Sequence, residues 1–282
     1  MSALVPSQNL VAQNDIQTPL PELVSRLKAD KGCAPEVTAE QMKKVAEDMK
    51  AVATWVNATE STQLAAVLNA NVAGLSATDT ETEICSAHVL LDVALRQDSA
   101  ALLRPRVQDI GAILNNSPNP RLQRSMGIIL TVLRPQPPPE VIPPLLQFLN
   151  RQDRDVTLQA AAVAPLVRIA GLDSAVAAAV MQFWSRPLDR QSRQAVINGL
   201  GNPNVQEPRL VTLVVNAIGD QDPYVRFSAI QATQRIGNVA LRQAEPALRT
   251  LAASTPDTNA PGDIEARTRA LAREALREIS KH

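Results

Sequence analysis

Residues 220–237, DQDPYVRFSAIQATQRIG, decide how the rest of the chain is read. Asp222 stands just before a run with helical spacing, where its carboxylate can accept hydrogen bonds from the free N–H groups of the first turn. Its charge also suits the positive end of the helix dipole. Val225 and Ala229 lie four apart and share one helix face, and Gly237 follows the last periodic residue. A helix over about 222–236 is expected.

Moving outward, the same arrangement returns. With His88, Met126, Ala162, Val196, Ala229 and Ala270 set as one register, the units repeat every 33 to 41 residues. Seven positions earlier stand Glu81, Asn119, Asp155, Asp189, Asp222 and Asp263, an acid or its amide in every unit. Four earlier come Ile84, Leu122, Leu158, Ser192, Val225 and Ala266, and three earlier come Cys85, Gln123, Gln159, Arg193, Arg226 and Arg267. One helix pair cannot bury its own apolar face, so such pairs must stack into a continuous core. Helical periodicity elsewhere gives about fourteen helices, near 20–30, 37–57, 61–75, 80–96, 99–115, 119–133, 139–150, 155–170, 173–185, 189–200, 206–219, 222–236, 240–254 and 263–280. On the second of these, Val45, Met49, Val52 and Val56 are expected to form the buried face.

These residues resemble the HEAT-repeat family. The Asp220-Gln221-Asp222-Pro223-Tyr224-Val225-Arg226 opening, the Arg235-Ile236-Gly237 close and the Pro143–Leu149 segment leading to Asp153 and Asp155 carry the likeness. Prolines in the first helix of a pair (Pro105, Pro143 with Pro144, Pro246) fit the same pattern, whereas Pro165 should kink a second helix. The resemblance implies an all-α, right-handed solenoid of about six helix pairs. Armadillo repeats, with three helices per unit, are the neighbouring alternative. The expected organisation is a flexible lead-in at 1–20, a helical cap at 21–60 and repeats over 61–282.

Composition agrees with that fold. There are 28 Lys+Arg and 28 Asp+Glu, and only six aromatic residues, so the core must be aliphatic. An apolar fraction of 45% with zero net charge excludes an extended disordered chain. No apolar run is long enough to span a membrane. Balanced charge gives no global pull toward nucleic acid. The balance is uneven along the chain: residues 1–100 hold seven basic and thirteen acidic side chains, and 101–282 hold twenty-one and fifteen. Cys33 and Cys85 read either as small buried apolar residues or as a bridge tying the N-terminal segment to the next unit. The compartment stays open.

Chemistry-bearing clusters are few. Cys85, His88 and Asp92 share a helix and could make a thiolate pair or part of a metal site, but a tetrahedral site wants four ligands; packing in the register slot is the preferred reading of His88. Gly199-Leu200-Gly201 follows a helix and reads as a helix terminus, not a nucleotide fingerprint. No catalytic residue, cofactor or metal is therefore expected. The candidate binding residues are Arg124, Arg193, Arg226, Arg235 and Arg267, together with Trp184, which is otherwise read as closing the core under a loop. An arginine column could fork carboxylate or phosphate, or form a structural ladder with the Asp column, as the family resemblance implies. The expected function is a non-enzymatic protein-binding scaffold presenting a concave face to a protein partner. The runner-up is nucleic acid or another phosphate-bearing ligand held by the second helices. An enzymatic alternative is bilin attachment, known among HEAT-like proteins.

Overall fold

The computed structural model describes residues 18–30, 32–34, 38–76, 79–254 and 263–281. All but the last three residues of the expected lead-in, and His282, lie outside them. Among the described residues the regular structure is entirely helical, and the chain divides into two units at residues 1–141 and 142–282.

The first unit contains α1 (Leu20–Ala29), α2 (Ala39–Ala58), α3 (Ser61–Gly74), α4 (Thr80–Ala94), α5 (Ser99–Leu103), α6 (Val107–Asn116) and α7 (Pro120–Val132). Helix α4 is its centre and packs against α1, α2, α3 and α7. Pro105 divides the expected helix at 99–115: a 3-10 turn over Arg104–Arg106 separates α5 from α6. The buried face of α2 is Val45, Asp48, Ala51, Val52 and Val56. Met49, expected on that face, is 38% exposed. Asp48 is buried there because Arg26 of α1 reaches across to its carboxylate at 2.7 Å.

The second unit contains α8 (Ile142–Asn150), α9 (Val156–Ala161), α10 (Val163–Ala170), α11 (Ser174–Trp184), α12 (Arg190–Leu200), α13 (Pro208–Asn216), α14 (Pro223–Ile236), α15 (Asn238–Ala253) and α16 (Ile264–Ile279). Its helices form two rows. The first helices α8, α11, α13 and α15 pack on one another in succession, as do α9 with α12, α12 with α14 and α14 with α16. The expected kink at Pro165 is a break at Ala162, since a proline removes one intrahelical donor and crowds the carbonyl four residues back. Gly199 and Gly201 let these rows close up. A Cβ on Gly199 would meet the Ala164 backbone nitrogen at 2.9 Å, and one on Gly201 the Ala232 Cα at 3.0 Å.

The core is aliphatic, with Phe148 and Phe183 its only fully buried rings among the described residues. The caps follow the acid column with two departures. Asn119, Asp155, Asp189 and Asp222 each accept from backbone N–H groups of the turn they begin. In α4 the cap is Asp79, accepting from Thr82 N at 2.8 Å; Glu81, expected there, lies exposed inside the first turn. In the last unit Asp263 precedes the helix without a side-chain cap bond. There the buried residues are Ile264, Thr268, Arg269, Ala272 and Ala275, while Ala266, Arg267 and Ala270 are exposed. The register expected through Ala270 is therefore shifted, and Thr268 fills the buried slot.

Candidate functional site

The column three residues before the register begins with backbone chemistry. A loop between the helices of a pair leaves carbonyls that water cannot reach, and each needs a donor. Gln123 donates to Ser117 O at 2.5 Å. Gln159, fully buried, donates to Phe148 O at 2.6 Å and Arg151 O at 2.7 Å. Arg226 donates to Asp220 O at 2.7 Å and Gln221 O at 2.9 Å, and pairs with Glu265 of α16. Arg193 donates to both Asp220 carboxylate oxygens at 2.8 Å. The Asp220 Oδ1 also accepts the Asp222 N–H at 2.8 Å. One position thus satisfies loop carbonyls and joins neighbouring second helices.

The remaining candidate residues are dispersed. Arg267 is not in that column after the register shift; its guanidinium lies over the Phe227 ring, 5.5 Å from the centroid. Arg235 is exposed on the last turn of α14, and Arg124 is exposed on α7. Trp184 is half-buried and lines a cavity of about 460 Å³ between α11 and α13, with Met181, Pro208, Arg209 and Leu213. It sits on a first helix, and Asp220, the acid that receives Arg193, lines the same cavity.

The Cys85–His88–Asp92 cluster has no free thiol. Cys85 is bridged to Cys33, with Cα atoms 5.3 Å apart, so it can serve neither as a nucleophile nor as a thiolate ligand. Burial lowers the His88 pKa and leaves its Nδ1 without a hydrogen-bond partner. Burial pushes Asp92 up to about 6. In the same unit, Lys44 bonds Asp30 at 2.6 Å and holds that carboxyl below its usual range, whereas burial raises Asp48. No group of three or more His, Cys, Asp or Glu side chains arranged to hold a metal occurs among the described residues. None of their helices is long and apolar enough to cross a membrane.

Two aromatic residues fall where residue-by-residue reading of the register did not look. On α14, Tyr224 lies under the Arg190 guanidinium of α12, 5.0 Å from the ring centroid, and Phe227 lies under Arg267 of α16. The sequence signal was their three-residue spacing, which puts both rings on one face of α14. The Asp220-Gln221-Asp222 triplet likewise carries two roles, since its first acid receives Arg193 and its second caps α14.

Comparison with known proteins agrees with this architecture. A family model described as HEAT repeats matches residues 177–277. Among solved structures, the chain is similar to a crystal structure of an engineered protein at 17% identity, covering 95% of this chain and 73% of that one, with a TM-score of 0.51. It also matches a designed armadillo repeat protein at 16% identity, covering 92% and 100%, with a TM-score of 0.41. Human deoxyhypusine hydroxylase in complex with glycerol matches at 16% identity, covering 96% and 99%, with a TM-score of 0.38. No curated protein matches the chain at significant similarity.

Proposed function

We propose, from the HEAT-like helical repeat established above, that the chain is a non-enzymatic interaction scaffold that holds a protein partner on its second helices. The observation carrying this reading is the division of labour in the second unit. Buried and half-buried positions of α12 and α14 satisfy the loops and the neighbouring helix, while Arg190, Arg235 and Arg267 on three adjacent second helices stay exposed. Extended faces of this kind are what helical repeats use for partners, and the warrant is partly analogy of fold. In this reading residues 61–282 form the repeat region and 21–60 its helical cap. The Cys33–Cys85 bridge supports an oxidising compartment. Alkylation and mass measurement of the protein from its native source should find both thiols protected.

A photo-crosslinker tests the scaffold reading. Installed at Gln231 on α14, it should capture the same protein repeatedly from native extract; installed at Arg249 on α15, it should not. Capture from Arg249 alone, or from neither site, would overturn the assignment of the binding face.

A further inference from the structure

On the second helices of the second unit, two cations are held on aromatic rings rather than on carboxylates. Arg193 and Arg226 are matched by Asp220 and Glu265. The side chains of Arg190 and Arg267 have no carboxylate partner and no hydrogen bond among the described residues; each rests on an aromatic ring instead. Asp189, next to Arg190 in sequence, is engaged as the cap of α12, and Glu265, two residues before Arg267, is paired with Arg226. The Tyr224 hydroxyl also makes no hydrogen bond among the described residues. Helix α14 packs between α12 and α16, so Arg190, Tyr224, Phe227 and Arg267 form one row across three helices.

From this row we propose that the second unit docks an acidic, extended segment of a partner protein, with one carboxylate received at Arg190 and another at Arg267. The proposal rests on the scaffold reading and names the chemistry of its partner. A ring beneath a guanidinium covers one face of the plane and leaves the N–H edges open, the geometry that forks a carboxylate. Holding the side chain on the ring also reduces the entropy lost on binding. Nucleic acid fits less well. Single-strand binding needs open aromatic faces for base stacking, and both rings here are faced by the protein's own arginines. Tracking a backbone needs a run of unmatched cations, whereas Arg193 and Arg226 beside this row are already paired. Two interhelix steps of 8–10 Å span roughly 16–20 Å. An extended chain covers that length in about five or six residues, at 3.3–3.6 Å each.

Fluorescence anisotropy of the full chain with a labelled peptide tests this. The probe carries two Glu-Glu pairs separated by five Ser/Gly residues; the controls replace Glu by Gln, or use a labelled twelve-nucleotide oligo-dT. The acidic peptide should bind and the Gln peptide should not. The R190E/R267E variant should weaken binding at least about tenfold, and R249E, on the first-helix row, should leave it unchanged. R190Q/R267Q, which removes the charge without reversing it, guards against misfolding of the reversed variant and should also weaken binding. Failure of the acidic peptide to bind, binding by R190E/R267E and R190Q/R267Q equal to the parent's, or tighter oligo-dT binding through the same arginines would overturn the proposal. If the Gln231 crosslink persists in R190Q/R267Q while the peptide fails, the acidic site is wrong and the scaffold stands. If that crosslink is never formed by the parent chain, the scaffold reading itself fails.

Discussion

Cys85 in the first unit and Arg226 in the second stand at equivalent places, three residues before the register position of their repeats, and these two repeats use that place in opposite ways. At Cys85 it is covalent: the residue reaches back to Cys33 within a small core of Leu27, Val45 and Ile84. At Arg226 it is electrostatic: the side chain binds the loop before its own helix and Glu265 on the next. Gln123 and Gln159 show the neutral version, satisfying loop carbonyls without joining a charge. The difference teaches that a repeat conserves a mechanical task more than a residue type. Where a regular neighbour follows, hydrogen bonds suffice. Where the irregular N-terminal helices must be held, a covalent link takes over. Even there guanidinium chemistry persists: Arg96, at the end of α4, donates to Thr59 O at 3.0 Å and to Asp98 at 2.9 Å, and it holds that carboxyl down at about 2.

The covalent side of the contrast should show the largest effect. A bridge closing a separation of 52 residues contributes about 4 kcal/mol in the chain-entropy model. C33A/C85A should therefore unfold at lower urea, with the loss of amide-exchange protection concentrated in residues 18–141. Uniform loss across both units would erase the distinction. Next comes the electrostatic side: Arg226→Ala leaves two loop carbonyls and Glu265 without their donor and should cost about 2–3 kcal/mol. In contrast to the cysteine variant, its lost protection should centre on α14 and α16. A loss below 0.5 kcal/mol by chemical denaturation would show that the ladder is ornamental.

The third contrast is pH. Because burial raises Asp92 to about 6, the native state keeps a proton that the unfolded chain releases from about pH 4 upward. First-unit stability attributable to this group accordingly falls as pH rises from about 4 to 6, and the full cost persists above that window. Asp92→Asn should stabilise the protein at pH 8, by on the order of 2 kcal/mol, and the gain should shrink toward pH 4. A pH-independent gain would mean that the carboxyl is not the cause. The smallest effect is expected at a feature the units share. Asn119→Ala removes the cap of α7, whose Oδ1 accepts from Arg121 N at 3.1 Å, and should cost about 1 kcal/mol in a thermal melt converted to free energy.

Much of the fold was legible because it is local. Helix spacing, an acid before most starts and proline punctuation act within a few residues, and the fourteen expected segments agree with the observed helices to within a few residues, except that 99–115 and 155–170 are each two helices. The misreadings are places where local signals competed. Asp79 and Glu81 both suit a first turn, and only the chain path into α4 selects Asp79. The 255–262 segment lies outside the described residues, and counting across it displaced the last register from Thr268 to Ala270. Met49 has the right spacing for a buried face, yet Arg26 from another helix draws Asp48 inward instead.

The candidate site was less legible, because it depends on what each arginine meets. By itself, the sequence determined that this is an aliphatic helical repeat and that arginine recurs on its second helices, since periodicity and capping are properties of neighbouring residues. Only the tertiary structure decided that Arg193 and Arg226 are matched by Asp220 and Glu265, that Arg190 and Arg267 rest on Tyr224 and Phe227, and that Cys33 meets Cys85. Those partners lie on other segments, 27 to 52 residues away in sequence, and a charge is neutralised by what is near it in space.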